Sequence, residues 1–214
     1  MTFRKLIGKL HLWLGLASGL VVLIVSLSGA VFVFQDDIRD LTQPWRKVAV
    51  QAQPMLPPSG LQAAAVRALP GSTASWITYN GPDRSVAVYL STAKGDMYYG
   101  FLNPYTGHVL KVQNAQSDFF TLVQYLHMYL LLPPAIGKWI VDIAVITFVI
   151  MLVSGIVLWW PRNKAARKQR FSVKWDASPK RRTYDLHNVL GFYASALALV
   201  LALSGLCISY EWLM

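Results

Sequence analysis

The sequence predicts a mainly α-helical membrane protein: three transmembrane helices, with a small extracytoplasmic α+β domain between the first and the second. Composition is the first reason. Of 214 residues, 55% are hydrophobic and only 14% are charged, and the mean hydropathy is +0.40, whereas a soluble domain carries about a quarter charged residues. The second reason is three apolar runs at residues 10–34, 136–160 and 189–212, each long enough to cross a hydrocarbon core of about 30 Å at about 1.5 Å per residue. The third is where the basic residues fall. Arg4, Lys5 and Lys9 precede the first run, and Arg162, Lys164, Arg167, Lys168, Arg170, Lys174, Lys180, Arg181 and Arg182 lie between the second and third, a stretch (162–182) in which Asp176 is the single acidic residue.

That asymmetry sets the expected orientation. Lys/Arg-rich flanks stay in the cytoplasm, so the N-terminus and the loop 161–186 face inward, while the segment between the first two spans and the C-terminal end face out. The formal net charge of +10 is therefore read as a membrane flank that suits anionic inner-leaflet lipid, not as a nucleic-acid surface. Trp159, Trp160 and Trp212 stand where amphipathic rings favour the interface. Ser28-Gly-Ala30 resembles a signal-peptide cleavage site, but the first run is longer than a usual signal core and its pattern recurs in the third, so the first helix is expected to be retained. Cys207 lies within an apolar run, which leaves no disulfide framework or thiol cluster to expect.

The expected segments are helix one with its cytoplasmic N-terminus (1–35), an outer domain with linkers (36–116), and an amphipathic stretch leading into helix two (117–160). The basic loop (161–186) and helix three (187–214) follow. In the outer domain, Gln53-Pro-Met-Leu-Pro-Pro58 reads as an extended linker, and Ser59 offers an N-cap to a helix over 61–69 that Pro70-Gly71 ends. Strand-like runs follow at 75–79, 85–90, 97–102 and 108–112, separated by Asn80-Gly81-Pro82, Lys94-Gly95-Asp96 and Asn103-Pro-Tyr-Thr-Gly107. A helix on a small antiparallel meander is the result. It carries no paired carboxylates, nucleophile–base set or phosphate loop.

The residues that suggest chemistry are histidines. His11-Leu-Trp-Leu-Gly15 recurs as His187-Asn-Val-Leu-Gly191, and Leu27-Ser28-Gly29 recurs as Leu203-Ser204-Gly205 at the same distance from its histidine. The second glycine stands 18 residues after the histidine in each copy, about five whole helical turns, so histidine and glycines share one stripe. Small residues there let a helix or a flat cofactor approach the backbone. Two histidines at matched depth on spans that can be neighbours suggest axial ligation of one b-type haem. Gly15 and Gly191, one turn deeper, would leave room for the porphyrin edge. A lone histidine near a helix end is better read as a cap or hydrogen-bonding group; the matched offsets favour the ligand reading here. His127, on the opposite side of the bilayer, is a candidate ligand for a second, outer haem or an exit point for electrons. His108 is read as a strand-surface residue. Asp142, inside the second span, is expected to pair with Lys138 four residues earlier, a proton or substrate role being the lesser alternative. Asp185 is read as a solvated or capping group.

Taken together, these pieces resemble the PepSY-associated transmembrane family of bacterial inner-membrane iron-uptake proteins and ferric-siderophore reductases. The resemblance is carried by Leu10-His-Leu-Trp-Leu-Gly-Leu16 with Leu27-Ser-Gly29, Asn103-Pro-Tyr-Thr-Gly-His-Val-Leu110 and Leu126-His127. Ser154-Gly155 with Leu158-Trp-Trp-Pro-Arg162, and Asp185-Leu-His-Asn-Val-Leu-Gly191, complete it. It implies a PepSY-like outer domain, haem b in the membrane, electron transfer across it, and oxidoreductase activity on a ferric siderophore or other ferric chelate outside. Longer family members continue beyond the third helix. Two readings of His127 stay open: a partner protomer, in a homo-oligomer or a complex with a partner subunit, supplies the histidine to pair with it, or this is a short member, or part of a longer chain, with a different job. No nicotinamide or flavin fingerprint is visible, so quinol or a cytoplasmic reductase is the expected electron donor. The alternative from another class is a non-catalytic membrane module whose PepSY-like domain binds or regulates a partner, with structural histidines.

Overall fold

The computed structural model describes residues 2–161, 163, 167 and 169–210. Arg162, Lys164 and Lys168 of the basic stretch, and Glu211, Trp212 and Met214 at the end, lie outside the described residues. In chain order the elements are α1 (Phe3–Val33), α2 (Gln35–Thr42), a 3-10 turn (Pro44–Arg46), α3 (Pro58–Ala68), β1 (Ser72–Thr78), β2 (Val86–Thr92), β3 (Met97–Leu102), β4 (Val109–Asn114), α4 (Phe119–Tyr129), α5 (Pro134–Trp159) and α6 (Pro179–Ser209). Among the described residues, helices α1, α5 and α6 are the three that are long and apolar enough to cross a membrane. The chain divides into two compact units, residues 1–26 with 128–214, and residues 27–127.

In the unit 27–127 the four strands form an antiparallel sheet in the order β1-β2-β3-β4, each strand pairing with its sequence neighbour, as short connections favour. Alternation along β2 turns Val86, Val88 and Leu90 to one face, where with Leu102 they meet Leu61 and Ala65 of α3; all six are fully buried. Helix α3 starts one residue before Ser59, because Pro58 at N1 brings a preset φ and no N–H to satisfy; Ser59 is inside the helix and caps nothing. In the turn Asn103–Gly107, the Asn103 side-chain oxygen accepts the N–H groups of Tyr105 at 2.9 Å and Thr106 at 3.3 Å. Gly107 ends the turn at φ +71°, a left-handed conformation that glycine adopts without a Cβ penalty. His108 follows it as an exposed residue just before β4.

Helix α2 is almost wholly polar and is tied to the sheet by charge. Arg84, just before β2, grips the Asp40 carboxylate through both guanidinium nitrogens, one at 2.6 Å, and Arg46 reaches Asp36 at 3.0 Å. Buried Asp118 accepts from Arg39 at 2.5 Å and from Gln113 at 2.8 Å. It also accepts the Phe120 and Thr121 N–H groups at the start of α4, which makes it that helix's N-cap. The Arg84 hydrogen bond holds the Asp40 carboxyl below its ordinary value. The stability this gives is complete above about pH 4, the unfolded carboxyl's range, and is lost as pH falls through the lower folded value. Arg84→Gln should thus destabilise the unit by about 1 kcal/mol at neutral pH and flatten its acid dependence, as thermal melts at pH 7 and pH 3 would record; equal acid sensitivity in the variant would refute this.

In the other unit α5 packs along α6. Both helices begin with proline at N1, and α6 runs ten residues ahead of its apolar stretch, so Arg181 and Asp185 stand on a helix and pair at 3.0 Å. Asp185 also accepts the Lys174 N–H at 3.3 Å and is only 4% exposed: it is a buried clamp, not a solvated group. At the far ends of α5 and α6 the expected pair forms, with Lys138 Nζ 2.8 Å from Asp142. Ser209 of α6 completes it, accepting from Lys138 at 2.6 Å and donating to Asp142 at 2.6 Å. Before α5 the chain reverses through Leu130 and Leu131, both at positive φ (56° and 59°), which lays the Tyr129 backbone directly against Gly137.

Candidate functional site

His11 of α1 and His187 of α6 come together. Their ring centroids are 6.3 Å apart, with the planes inclined at 70°. A metal–imidazole bond runs about 2.0–2.1 Å, so a metal ion bonded in line to one nitrogen of each ring sets the centroids roughly 6 Å apart. Among the described residues no group of three or more His, Cys, Asp or Glu side chains converges. A metal held here by two imidazoles would need its remaining donors from its own ligand, and a macrocycle with four in-plane nitrogens meets that requirement.

Local structure prepares His11. Its Nδ1 lies 2.9 Å from Ser154 Oγ on α5, and that hydroxyl donates to the Met151 carbonyl at 3.1 Å. With the hydroxyl proton so used, the oxygen accepts from Nδ1–H, which leaves the lone pair on Nε2, the tautomer a metal requires. Gly155 makes the approach possible: a Cβ there would stand 3.3 Å from His11 Cε1.

Both histidines line a cavity of about 720 Å³, within the roughly 300–1,000 Å³ of small-molecule and cofactor sites. Its walls are largely apolar side chains of α1, α5 and α6, including Leu16, Phe148 and Leu152. Gly15 and Gly191 both line it but differ. Met151 packs onto Gly15, its Cε 2.7 Å from where a Cβ would be, whereas a Cβ at Gly191 would meet nothing within 4 Å. Arg4 and Arg170 are the charged side chains other than the histidines on the lining. Arg4 donates to the Leu158 carbonyl and, at 3.3 Å, to that of Trp160, both among the orphan carbonyls at the end of α5. Arg170 reaches the Tyr184 hydroxyl at 3.2 Å and Asn188 Oδ1 at 3.3 Å. Trp159 stacks on Phe192 at 3.9 Å and is 6% exposed; of the three tryptophans expected at an interface, Trp160 is exposed, Trp159 is buried and Trp212 lies outside the described residues.

His127 belongs to the unit 27–127 and has a cradle of the same kind. Its Nδ1 is 3.4 Å from Ser28 Oγ, and a Cβ at Gly29 would be 2.9 Å from its Cε1. The repeated Ser-Gly pair at residues 28–29 thus admits an imidazole. Ser154-Gly155 does the same for His11.

The family model for the PepSY-associated TM region matches residues 9–214. The chain belongs to the PepSY-associated transmembrane family. A search of curated proteins finds no match. Membership and three apolar helices together describe a multi-pass membrane protein, with the four-stranded sheet between the first two spans. In this PepSY-associated chain, two residues central to the site went unnoticed as site residues in the sequence: Ser154, which fixes the His11 tautomer, and Trp159. The Ser-Gly pair on each span was the available signal for the first.

Proposed function

We propose that this protein holds one haem b between His11 and His187 and moves electrons across the bacterial inner membrane to reduce ferric siderophores or other ferric chelates in iron uptake. What supports the reading is chiefly one observation, two imidazoles 6.3 Å apart within one large, mostly apolar cavity. When bound, haem supplies a one-electron ferric/ferrous couple, and an apolar protein shell tunes its potential.

The chain's own residues do the rest. Ser154 keeps the His11 proton on Nδ1, the apolar walls exclude water, and the Arg181–Asp185 clamp stiffens the turn beneath His187. In this proposal the N-terminus and the basic loop lie in the cytoplasm, where a reductase, or quinol in the bilayer, gives up the electron that the external ferric chelate gains. His127 is proposed as the outer ligand or exit point, because its Ser-Gly cradle matches the setting of His11. Its pairing histidine would come from a partner protomer or a longer chain. Purified protein should show a Soret band and, after dithionite, the sharpened visible bands of low-spin bis-histidine haem. Protein produced with ample haem that shows neither would overturn the reading.

A further inference from the structure

Helix α4 buries one side and leaves a second apolar side uncovered. Phe120 and Val123 are buried, and His127 on the same side rests on Ser28 and Gly29. At 3.6 residues per turn, Phe119, Leu122, Tyr125 and Leu126 fall within a different arc of about 120°. Phe119 is 60% exposed, Leu122 47% and Tyr125 46%. The sequence from Phe119 to Gly137 contains no Asp, Glu, Lys or Arg, whereas the polar helix α2 carries Asp36, Asp37, Arg39 and Asp40. A contiguous apolar patch of this kind marks a contact with lipid or protein.

Two contacts set the depth of that patch along α1. Helix α4 starts beside Arg39, which reaches Asp118 at 2.5 Å and lies 4.9 Å from the Phe120 ring centre. Its other end meets α1 at Ser28 and Gly29 through His127. The first apolar run ends at Phe34; Gly29 stands five residues before it and Arg39 five after. Helix α4 therefore crosses the level at which the span leaves the hydrocarbon. Gly29 is about 7 Å inside that level at about 1.5 Å per residue, and interfacial helices sink about 5–10 Å. Leu27, Val31 and Val33 of α1, on the same stretch, are exposed and apolar too.

We propose that α4 is sunk obliquely into the lipid leaflet that holds this end of α1, with Phe119, Leu122, Tyr125 and Leu126 against the glycerol region and upper acyl chains of phospholipid. The occupant is the bilayer because the apolar face continues that of a membrane span and lies at the span's own depth, where an uncovered surface meets lipid. Tyr125 suits the boundary, with an apolar ring and a polar hydroxyl. His127, on the inward side, is thereby held at the level of the acyl chains and not in the aqueous phase. None of this needs a haem, so it stands or falls apart from the haem reading.

Cys207 is the only cysteine, so Phe119→Cys, Leu122→Cys and Tyr125→Cys on a Cys207→Ser background would each carry one nitroxide. Full-length labelled protein in vesicles of phosphatidylcholine and phosphatidylglycerol would be probed by spin-label power saturation with oxygen, which concentrates among acyl chains, and with a neutral nickel chelate, which stays in water. Ile150→Cys on α5, at a position 51% exposed, is the lipid reference, and Thr106→Cys in the exposed turn of the sheet unit is the water reference. The oxygen-to-nickel ratio at 122 and 125 should be several-fold above that at 106 and approach that at 150, with a lower value at 119. Leu122→Cys carries the test alone if labelling position 125 lowers the melting point. Nickel access at 122 equal to that at 106 puts the face in water and overturns the proposal. Low access to both reagents puts protein there, a second copy or another segment of this chain, and overturns it as well.

Discussion

On the haem reading, replacing either His11 or His187 by alanine should abolish the low-spin haem spectrum, while His127→Ala should leave it in place. His11 and His187 are the imidazoles that meet across the cavity at 6.3 Å, so removing either would leave a bound haem held by one imidazole and change its spin state. Ser154→Ala tests how much the prepared tautomer contributes. It removes the acceptor of the His11 Nδ1 proton, and loss of such a supporting contact costs roughly 10–100-fold in metal affinity. The spectrum should therefore remain low-spin in Ser154→Ala while the haem is released at lower competitor concentration. Normal bis-histidine spectra in both His11→Ala and His187→Ala would instead leave these histidines a structural role.

Gly137→Ala should cost more stability than any other Gly→Ala change among the described residues. An alanine Cβ would run into the Tyr129 carbonyl oxygen and stand 2.8 Å from the Tyr129 Cα. That obstacle is backbone, held by the reversal at Leu130 and Leu131, so no rotamer change relieves it. Overpacking of this sort costs about 2–3 kcal/mol or more, a fall in thermal midpoint of about 5 °C or more. Gly191→Ala is the contrasting control. Its Cβ meets nothing within 4 Å, so the melting point should hold or rise slightly, as helical Gly→Ala changes do. A Gly137→Ala protein as stable as wild type would refute the close approach.

The spans were legible because a bilayer imposes a length that no soluble element needs, and the meander because its turn residues fall between alternating runs. The ends were less so. Hydropathy marks where a helix enters lipid, not where its hydrogen bonding starts, so the water-facing turns of α1 and α6 escaped, although Pro179 at N1 was a usable sign. Asp185, expected as a solvated or capping group, is buried through Arg181 and the Lys174 N–H; the four-residue spacing to Arg181 is visible in the sequence, the folding back of residue 174 is not. The matched offsets of His11 and His187 made that pair readable from one sequence. Ser154 and Trp159 act across helices, on His11 and Phe192, and interhelical rotation has no signature in a single chain.

The Lys138–Asp142–Ser209 cluster decides how α5 and α6 can move. A slide of one helix past the other by a single turn would break both Ser209 hydrogen bonds, to Lys138 and to the Asp142 carboxylate, which is 4% exposed, and each bond lost from a buried polar group costs about 1–3 kcal/mol. Splaying at the opposite ends breaks none of the cluster's three bonds. The cluster therefore ties the two helices at this end, so that any widening at the His187 end would open like tongs about that fixed point.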